Sequence, residues 1–249
     1  MRLHYIDEGA GETLLFIPGW VMPAEIWRRQ IDHFARNYRV IALDPRSQGR
    51  SEVAQWGNDI RRHAEDLNEL ILHLQSPRVV LVGWSLGALE ALLYLKTHGD
   101  EKLAALVVVD NSVGEAPPQS GDATIEYRGP RDRQREMGQF VAAMFRSPQP
   151  PEYLAWLTAE ALRTPPEAGA KLLAIPYPRS FWRSAVYQTR KALLYMVTAS
   201  LNGQAQTLHR NRKDTSIEVF ADAGHALFVD EPERFNAVLE GFLDRTLAQ

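Results

Sequence analysis

The segment Val79-Val80-Leu81-Val82-Gly83-Trp84-Ser85-Leu86-Gly87-Ala88-Leu89-Glu90 constrains the fold more than any other. An apolar run ends in Gly-x-Ser-x-Gly, and an Ala/Leu-rich helical pattern starts at once. A chain that passes from strand to helix in one residue is bent sharply there. Two flanking glycines let strand and helix approach closely, and the serine hydroxyl is lifted above the strand end. A strand apolar on both faces needs cover on both, which is the environment of a parallel sheet.

The remaining sequence repeats this rhythm. Short β-type runs at residues 2–7, 13–17, 38–43, 78–82, 103–109, 192–197 and 216–220 alternate with helical patterns at 23–36, 58–74, 86–96 and 233–247. Pro232 marks the start of the last helix. The alternation predicts an α/β fold, a mostly parallel central sheet flanked by helices. Residues 112–190 break the pattern. They are proline-rich, hold no good strand, and carry amphipathic helical segments at 131–146 and 151–162. They are expected to form a helical cap inserted into a core built from residues 1–111 and 191–249. The opening of the cap, 114–130, is rich in Pro and Gly and is expected to be mobile.

Composition narrows the chemistry. The 249 residues include 28 basic and 31 acidic side chains, a net charge of −3, so no basic surface for nucleic acid is expected. The start, Met1-Arg2-Leu3-His4-Tyr5-Ile6-Asp7, lacks the apolar stretch of a secretory signal. No uncharged apolar run is long enough to cross a membrane. The expectation is a cytoplasmic protein with no membrane partner. There is no cysteine, which excludes a disulfide framework, a thiolate metal site and a thiol nucleophile. The candidate nucleophile is Ser85.

A serine at its ordinary pKa needs a base. Of seven histidines, His33, His63, His73 and His98 lie in or at the ends of helical patterns. His4 is on the first strand and His209 on a late helix. These six are expected to be solvated or on helix surfaces. His225 differs, because it follows the last strand in Ala223-Gly224-His225-Ala226. Catalytic groups of open α/β sheets gather at such strand ends. The N–H of Leu86, at the start of the helix, is a candidate oxyanion donor.

Together these segments resemble the α/β-hydrolase superfamily, over nearly all of the chain outside the cap. Pro18-Gly19-Trp20 is similar to the family's oxyanion loop, Asp44-Pro45-Arg46-Ser47-Gln48-Gly49-Arg50-Ser51 to its D-x-R-x-x-G-x-S turn, and Gly83–Gly87 to its nucleophile elbow. Gly224-His225 with Asp230-Glu231-Pro232 is similar to the family's histidine loop and last helix. The resemblance implies a Ser–acid–His triad and no metal or organic cofactor. Two departures stand out. Pro18 replaces the usual histidine of the oxyanion loop, so the second oxyanion donor would be the N–H of Trp20. The usual acid position, after the strand at 192–197, holds Thr198, Ala199, Ser200, Leu201 and Asn202, none of them a carboxylate. Asp214 lies beyond a further helix, at the wrong end of the sheet. Asp222 is in the histidine's own loop, and Asp44 sits in a turn whose acid is usually structural. Asp110, ending the strand at 103–109, is the chosen acid; some branches of the family carry it there, and Asp222 stays open as the alternative.

The implied activity is hydrolysis of a carboxylic ester of a small or medium apolar acyl group through an acyl-enzyme. Trp20, Trp27, Trp84, Met144, Phe145, Phe181, Trp182 and Phe228 are the residues expected around an apolar pocket. The cap also carries Arg128, Arg131, Arg133, Arg135, Arg146, Arg163, Arg179, Arg183 and Arg190, a candidate docking face for an acidic carrier protein. Pro-Gly-Trp and Gly-Trp-Ser-Leu-Gly resemble the family's methyl ester esterases of biotin synthesis, which is the second reading. A third is a non-catalytic ligand-binding or signalling protein on the same fold.

Overall fold

The apolar runs form strands because only pairing along both edges and packing on both faces satisfies them. The computed structural model describes residues 1–118 and 130–247. The strands are β1 (His4–Glu8), β2 (Thr13–Ile17), β3 (Arg39–Asp44), β4 (Val79–Trp84), β5 (Leu103–Val109), β6 (Ala192–Thr198) and β7 (Thr215–Phe220). They form one sheet in the order β1-β3-β2-β4-β5-β6-β7. β1 is antiparallel to β3, and every other pairing is parallel. β2 and β4 are buried along their whole length, as continuous apolar strands must be.

The helices are α1 (Arg28–Phe34), α2 (Ile60–His73), α3 (Leu86–His98), α4 (Pro130–Ala143), α5 (Pro151–Arg163), α6 (Pro166–Leu173), α7 (Arg179–Gln188), α8 (Asn202–Asn211), α9 (Leu227–Asp230) and α10 (Pro232–Leu247). The helix expected over 23–36 is divided into a 3-10 turn, Ala24–Trp27, and α1. Asp59 starts α2 by accepting from the N–H groups of Arg61 and Arg62 at 3.0 and 3.2 Å. α3 is buried on nearly every side, so it lies inside the molecule and not on its surface.

β5 and β6 are adjacent in the sheet, and the chain between them holds α4, α5, α6 and α7. The prolines of this stretch start helices: Pro151 and Pro166 occupy the first turns of α5 and α6, and Pro178 precedes α7. Residues 119–129 of the opening expected to be mobile lie outside the described residues. The residues just before them are fixed. Gly114 has φ 81°, and a Cβ there would meet the Arg179 carbonyl at 2.1 Å. The buried Glu115 pairs with Arg183 at 3.1 Å and accepts from the Tyr187 hydroxyl.

One histidine departs from expectation. His63 is only 3% exposed, with Nδ1 2.7 Å from Glu90, itself 2% exposed. It faces α3 because α2 packs against α3 through this pair. Arg46 and Asp66 form a second buried pair, bidentate at 2.7 Å on both arms. Among the described residues no helix is long and apolar enough to cross a membrane.

Candidate active site

After β2 the chain steps outward to β3 and then returns across β2 to β4. A crevice opens at the carboxyl ends of strands where the order reverses in this way. The loops after β2 and β4 meet there. Ser85 joins β4 to α3 with φ 54° and ψ −122°. A Cβ on Gly83 would lie 2.4 Å from the Gly87 carbonyl, and one on Gly87 would lie 2.5 Å from the Pro18 carbonyl. Both positions require glycine. The Ser85 N–H donates to Val109 at 3.0 Å, and its carbonyl accepts from the Asn111 side chain at 2.7 Å. The bend is therefore held from the neighbouring strand. The N–H of Leu86, first residue of α3, has no acceptor within its own helix.

His225 lies between β7 and α9. Its Nε2 is 2.8 Å from Ser85 Oγ, and its Nδ1 is 2.7 Å from Asp110 Oδ2. An ionised carboxylate only accepts, so Nδ1 carries the proton and Nε2 is left to accept from the Ser85 hydroxyl. The loop is fixed on several sides. Trp84 Nε1 donates to the His225 carbonyl at 2.8 Å. Asp230 accepts from the backbone of Gly224 at 2.7 Å and of Arg146 at 2.8 Å, which ties the histidine loop to the segment after α4.

Asp110 follows β5 with φ 44° and is 5% exposed. Its Oδ1 accepts from the Thr198 N–H at 2.7 Å and the Thr198 hydroxyl at 2.9 Å, leaving Oδ2 to the imidazole. Thr198, the last residue of β6 and the first of the stretch that holds no carboxylate, thus braces the carboxylate at the end of the neighbouring strand β5. Tyr195 donates to the Asn111 carbonyl at 2.8 Å. Burial first, and then the Asp110 charge, push its phenol well above the usual tyrosine range, so it stays a donor.

The other acids lie elsewhere. Asp214 is 66% exposed and sits 3.5 Å from Arg212, ahead of β7. Asp222 is exposed. Asp44 accepts from His4 at 2.7 Å, the Ala24 N–H at 2.6 Å and the Arg50 N–H at 3.0 Å, which closes its turn. Thr198, Asn111 and Tyr195 were missed by sequence reasoning. A threonine and an asparagine at strand ends carry no local pattern that separates a brace from an ordinary turn residue.

On the opposite side of Ser85 lies the loop Pro18-Gly19-Trp20. A Cβ on Gly19 would be 3.1 Å from Ser85 Cβ. The N–H groups of Trp20 and Leu86 are placed by the two loops that flank the serine. The pocket expectation needs correction at three aromatics. Trp27 stacks on Phe228 at 3.8 Å, and Trp84 meets Phe228 edge-on at 5.0 Å. All three are essentially without solvent exposure and pack as core beneath the site. A cavity of about 350 Å³ opens beside Asp110 and His225, lined also by Arg146, Thr198 and Ser200.

The arginines expected to form a docking face are largely engaged with the chain itself. Arg133 donates to the Leu162 and Thr164 carbonyls, Arg135 pairs with Asp132, Arg163 with Glu160 and Arg183 with Glu115. Arg128 lies outside the described residues, as does the side chain of Arg131. Among the described residues no three His, Asp or Glu side chains gather as a metal centre.

Comparison with known proteins shows the family and the fold. A non-heme haloperoxidase from Rhodococcus erythropolis is 35% identical over 118 residues, 47% of this chain and 42% of that protein. A pimeloyl-[acyl-carrier protein] methyl ester esterase from Vibrio atlanticus (strain LGP32) is 30% identical over 113 residues, 44% of this chain and 40% of that protein. Both matches span less than half of the relative. A crystal structure from Burkholderia cenocepacia, provisionally described as an aryl esterase, is similar along its length: TM-score 0.88, 26% identity, 99% of this chain and 96% of the other. A family model described as alpha/beta hydrolase fold matches residues 12–218. The chain belongs to the alpha/beta hydrolase fold family.

Proposed function

We propose that the protein is a serine hydrolase that cleaves a carboxylic ester of a small or medium apolar acyl group. One observation carries the reading: an unbroken hydrogen-bonded line from Ser85 through His225 to Asp110, at 2.8 and 2.7 Å. In this mechanism Ser85 attacks the acyl carbonyl while His225 Nε2 takes its proton. The N–H groups of Trp20 and Leu86 receive the oxyanion. Asp110 holds the imidazole in one tautomer and stabilises the imidazolium without taking its proton. His225 then protonates the leaving alcohol. Water repeats the sequence on the acyl-enzyme, releasing the acid and restoring Ser85. The helices α4–α7, with the rest of 112–190, act as a cap on a core of residues 1–111 and 191–249.

The test is a panel of p-nitrophenyl esters of rising acyl length, extended to thioesters and lactones. A hydrolysis rate that peaks at short or medium chains and vanishes in a well-folded Ser85→Ala protein supports the reading. Full activity in Ser85→Ala would remove it. The match to the pimeloyl methyl ester esterase supports a second reading, a methyl ester on an acidic carrier protein. Hydrolysis of a carrier-bound methyl ester at a rate far above that of the free ester would favour it.

A further inference from the structure

Pro18 offers no side-chain donor to support the loop that follows β2. That loop is supported instead from α4 and α6. The Trp20 indole is buried, and its Nε1 donates to the Gly169 carbonyl in α6 at 2.8 Å. The Phe140 ring of α4 meets it edge-on, with centroids 5.3 Å apart at 80°. The fit to α6 is tight: a Cβ on Gly169 would lie 3.3 Å from the indole Cζ2 and 3.6 Å from Nε1.

The backbone of Trp20 is as constrained as its ring. The Met22 N–H donates to the Gly19 carbonyl at 3.2 Å and closes a four-residue turn. Val21 completes the turn at φ 56°, a costly conformation for a β-branched residue. A turn closed between its first carbonyl and fourth N–H leaves the second N–H unused. That second N–H belongs to Trp20, next to Ser85.

We infer that α6 and α4 set the position of the Trp20 N–H, with Gly169 and Phe140 as positioning residues for the oxyanion hole. The inference rests on the serine-hydrolase reading, and it gives the helices between β5 and β6 a part in turnover beyond covering the site. A ring anchored at its far end transmits its placement through Cα to the N–H that receives the oxyanion. Such a donor acts only on the transition state, so moving it lowers kcat and leaves KM in place.

The decisive variant is Gly169→Ala. Alanine keeps the accepting carbonyl and is the better helix residue, but its Cβ presses on the indole. A purely structural role predicts unchanged turnover. Positioning predicts that kcat falls roughly tenfold, a fraction of the loss from deleting a donor, with KM within about twofold. The melting temperature should change by no more than a few degrees. The backbone amide resonance of Trp20 in ¹⁵N-labelled protein should move, and that of Leu86 should not. Phe140→Leu, which removes the edge contact, should change kcat and the Trp20 amide in the same direction and serves if Gly169→Ala folds poorly. Unchanged kcat, or a fall in kcat with the Trp20 amide unmoved, overturns the inference. If wild-type hydrolysis does not depend on Ser85, the functional reading fails by itself. The amide resonance then still decides whether α6 sets the Trp20 backbone.

Discussion

Ser85, Asp110 and Val21 all hold positive φ without being glycine, and all three lie at the site. Each such conformation costs on the order of 1–3 kcal/mol, and the fold around it must enforce it. Here the enforcement is visible: Val109 and Asn111 hold Ser85, Thr198 and Met196 hold Asp110, and the Gly19–Met22 turn holds Val21. Activity should therefore fall in a definite order when single residues change. Asp110→Asn keeps the backbone tolerance of this position but cannot fix the imidazole tautomer. It should cost on the order of a thousandfold or more in kcat. Thr198→Val removes one of two donors to the same carboxylate and should cost about tenfold, restored by Thr198→Ser. Asp222→Asn and Asp214→Asn should stay within about twofold, since the His225 ring nitrogens bond Asp110 and Ser85 and neither of these acids. Rates on one p-nitrophenyl ester rank all five, and a larger loss at Asp222 would contradict the assignment.

At the scale of elements, one tight junction is where α3 leaves β4 and passes the end of β2. A Cβ on Gly87 would meet the Pro18 carbonyl at 2.5 Å and the Ile17 carbonyl at 2.6 Å, both backbone atoms that cannot swing aside. Gly87→Ala should destabilise by on the order of 3 kcal/mol, about 10 °C in melting temperature, whereas Gly138→Ala, with open space around it, should not. The strands and the elbow were legible in the sequence because burial on both faces leaves uninterrupted apolar runs. Ser85, His225 and the acid at the end of β5 could be named from strand ends and family resemblance together. The braces could not. Thr198 and Tyr195 reach Asp110 and Asn111 from β6, 80-odd residues further along the chain, through a pairing that no local pattern records. The prolines of 112–190 read as breakers, but in the fold Pro130, Pro150, Pro151, Pro165, Pro166 and Pro178 open or precede helices.

At the scale of the whole molecule, tyrosines held away from water link stability to alkaline pH, among them the partly buried Tyr153. Burial pushes the Tyr153 phenol up from 10.0 to about 12. Its folded pKa is raised, so its contribution is fully present below pH ~10 and is lost as pH rises toward 12. In that window the unfolded chain has released the proton and the folded one has not. The linkage slope is about 1.4 kcal/mol per pH unit for one such group. Urea unfolding across this window should show stability falling with pH, and Tyr153→Phe should flatten the fall by about one proton's worth. An unchanged slope would mean that Tyr153 ionises equally in both states.

All of these scales converge on one hydroxyl. The most direct test of the account is reaction of the folded protein with a fluorophosphonate, followed by peptide mass spectrometry. Ser85 should carry the adduct, formed fast in the wild type and far more slowly in Asp110→Asn, and absent from Ser85→Ala. No adduct in the folded wild type, or an adduct on a different residue, would contradict the proposal that Ser85 is an activated nucleophile.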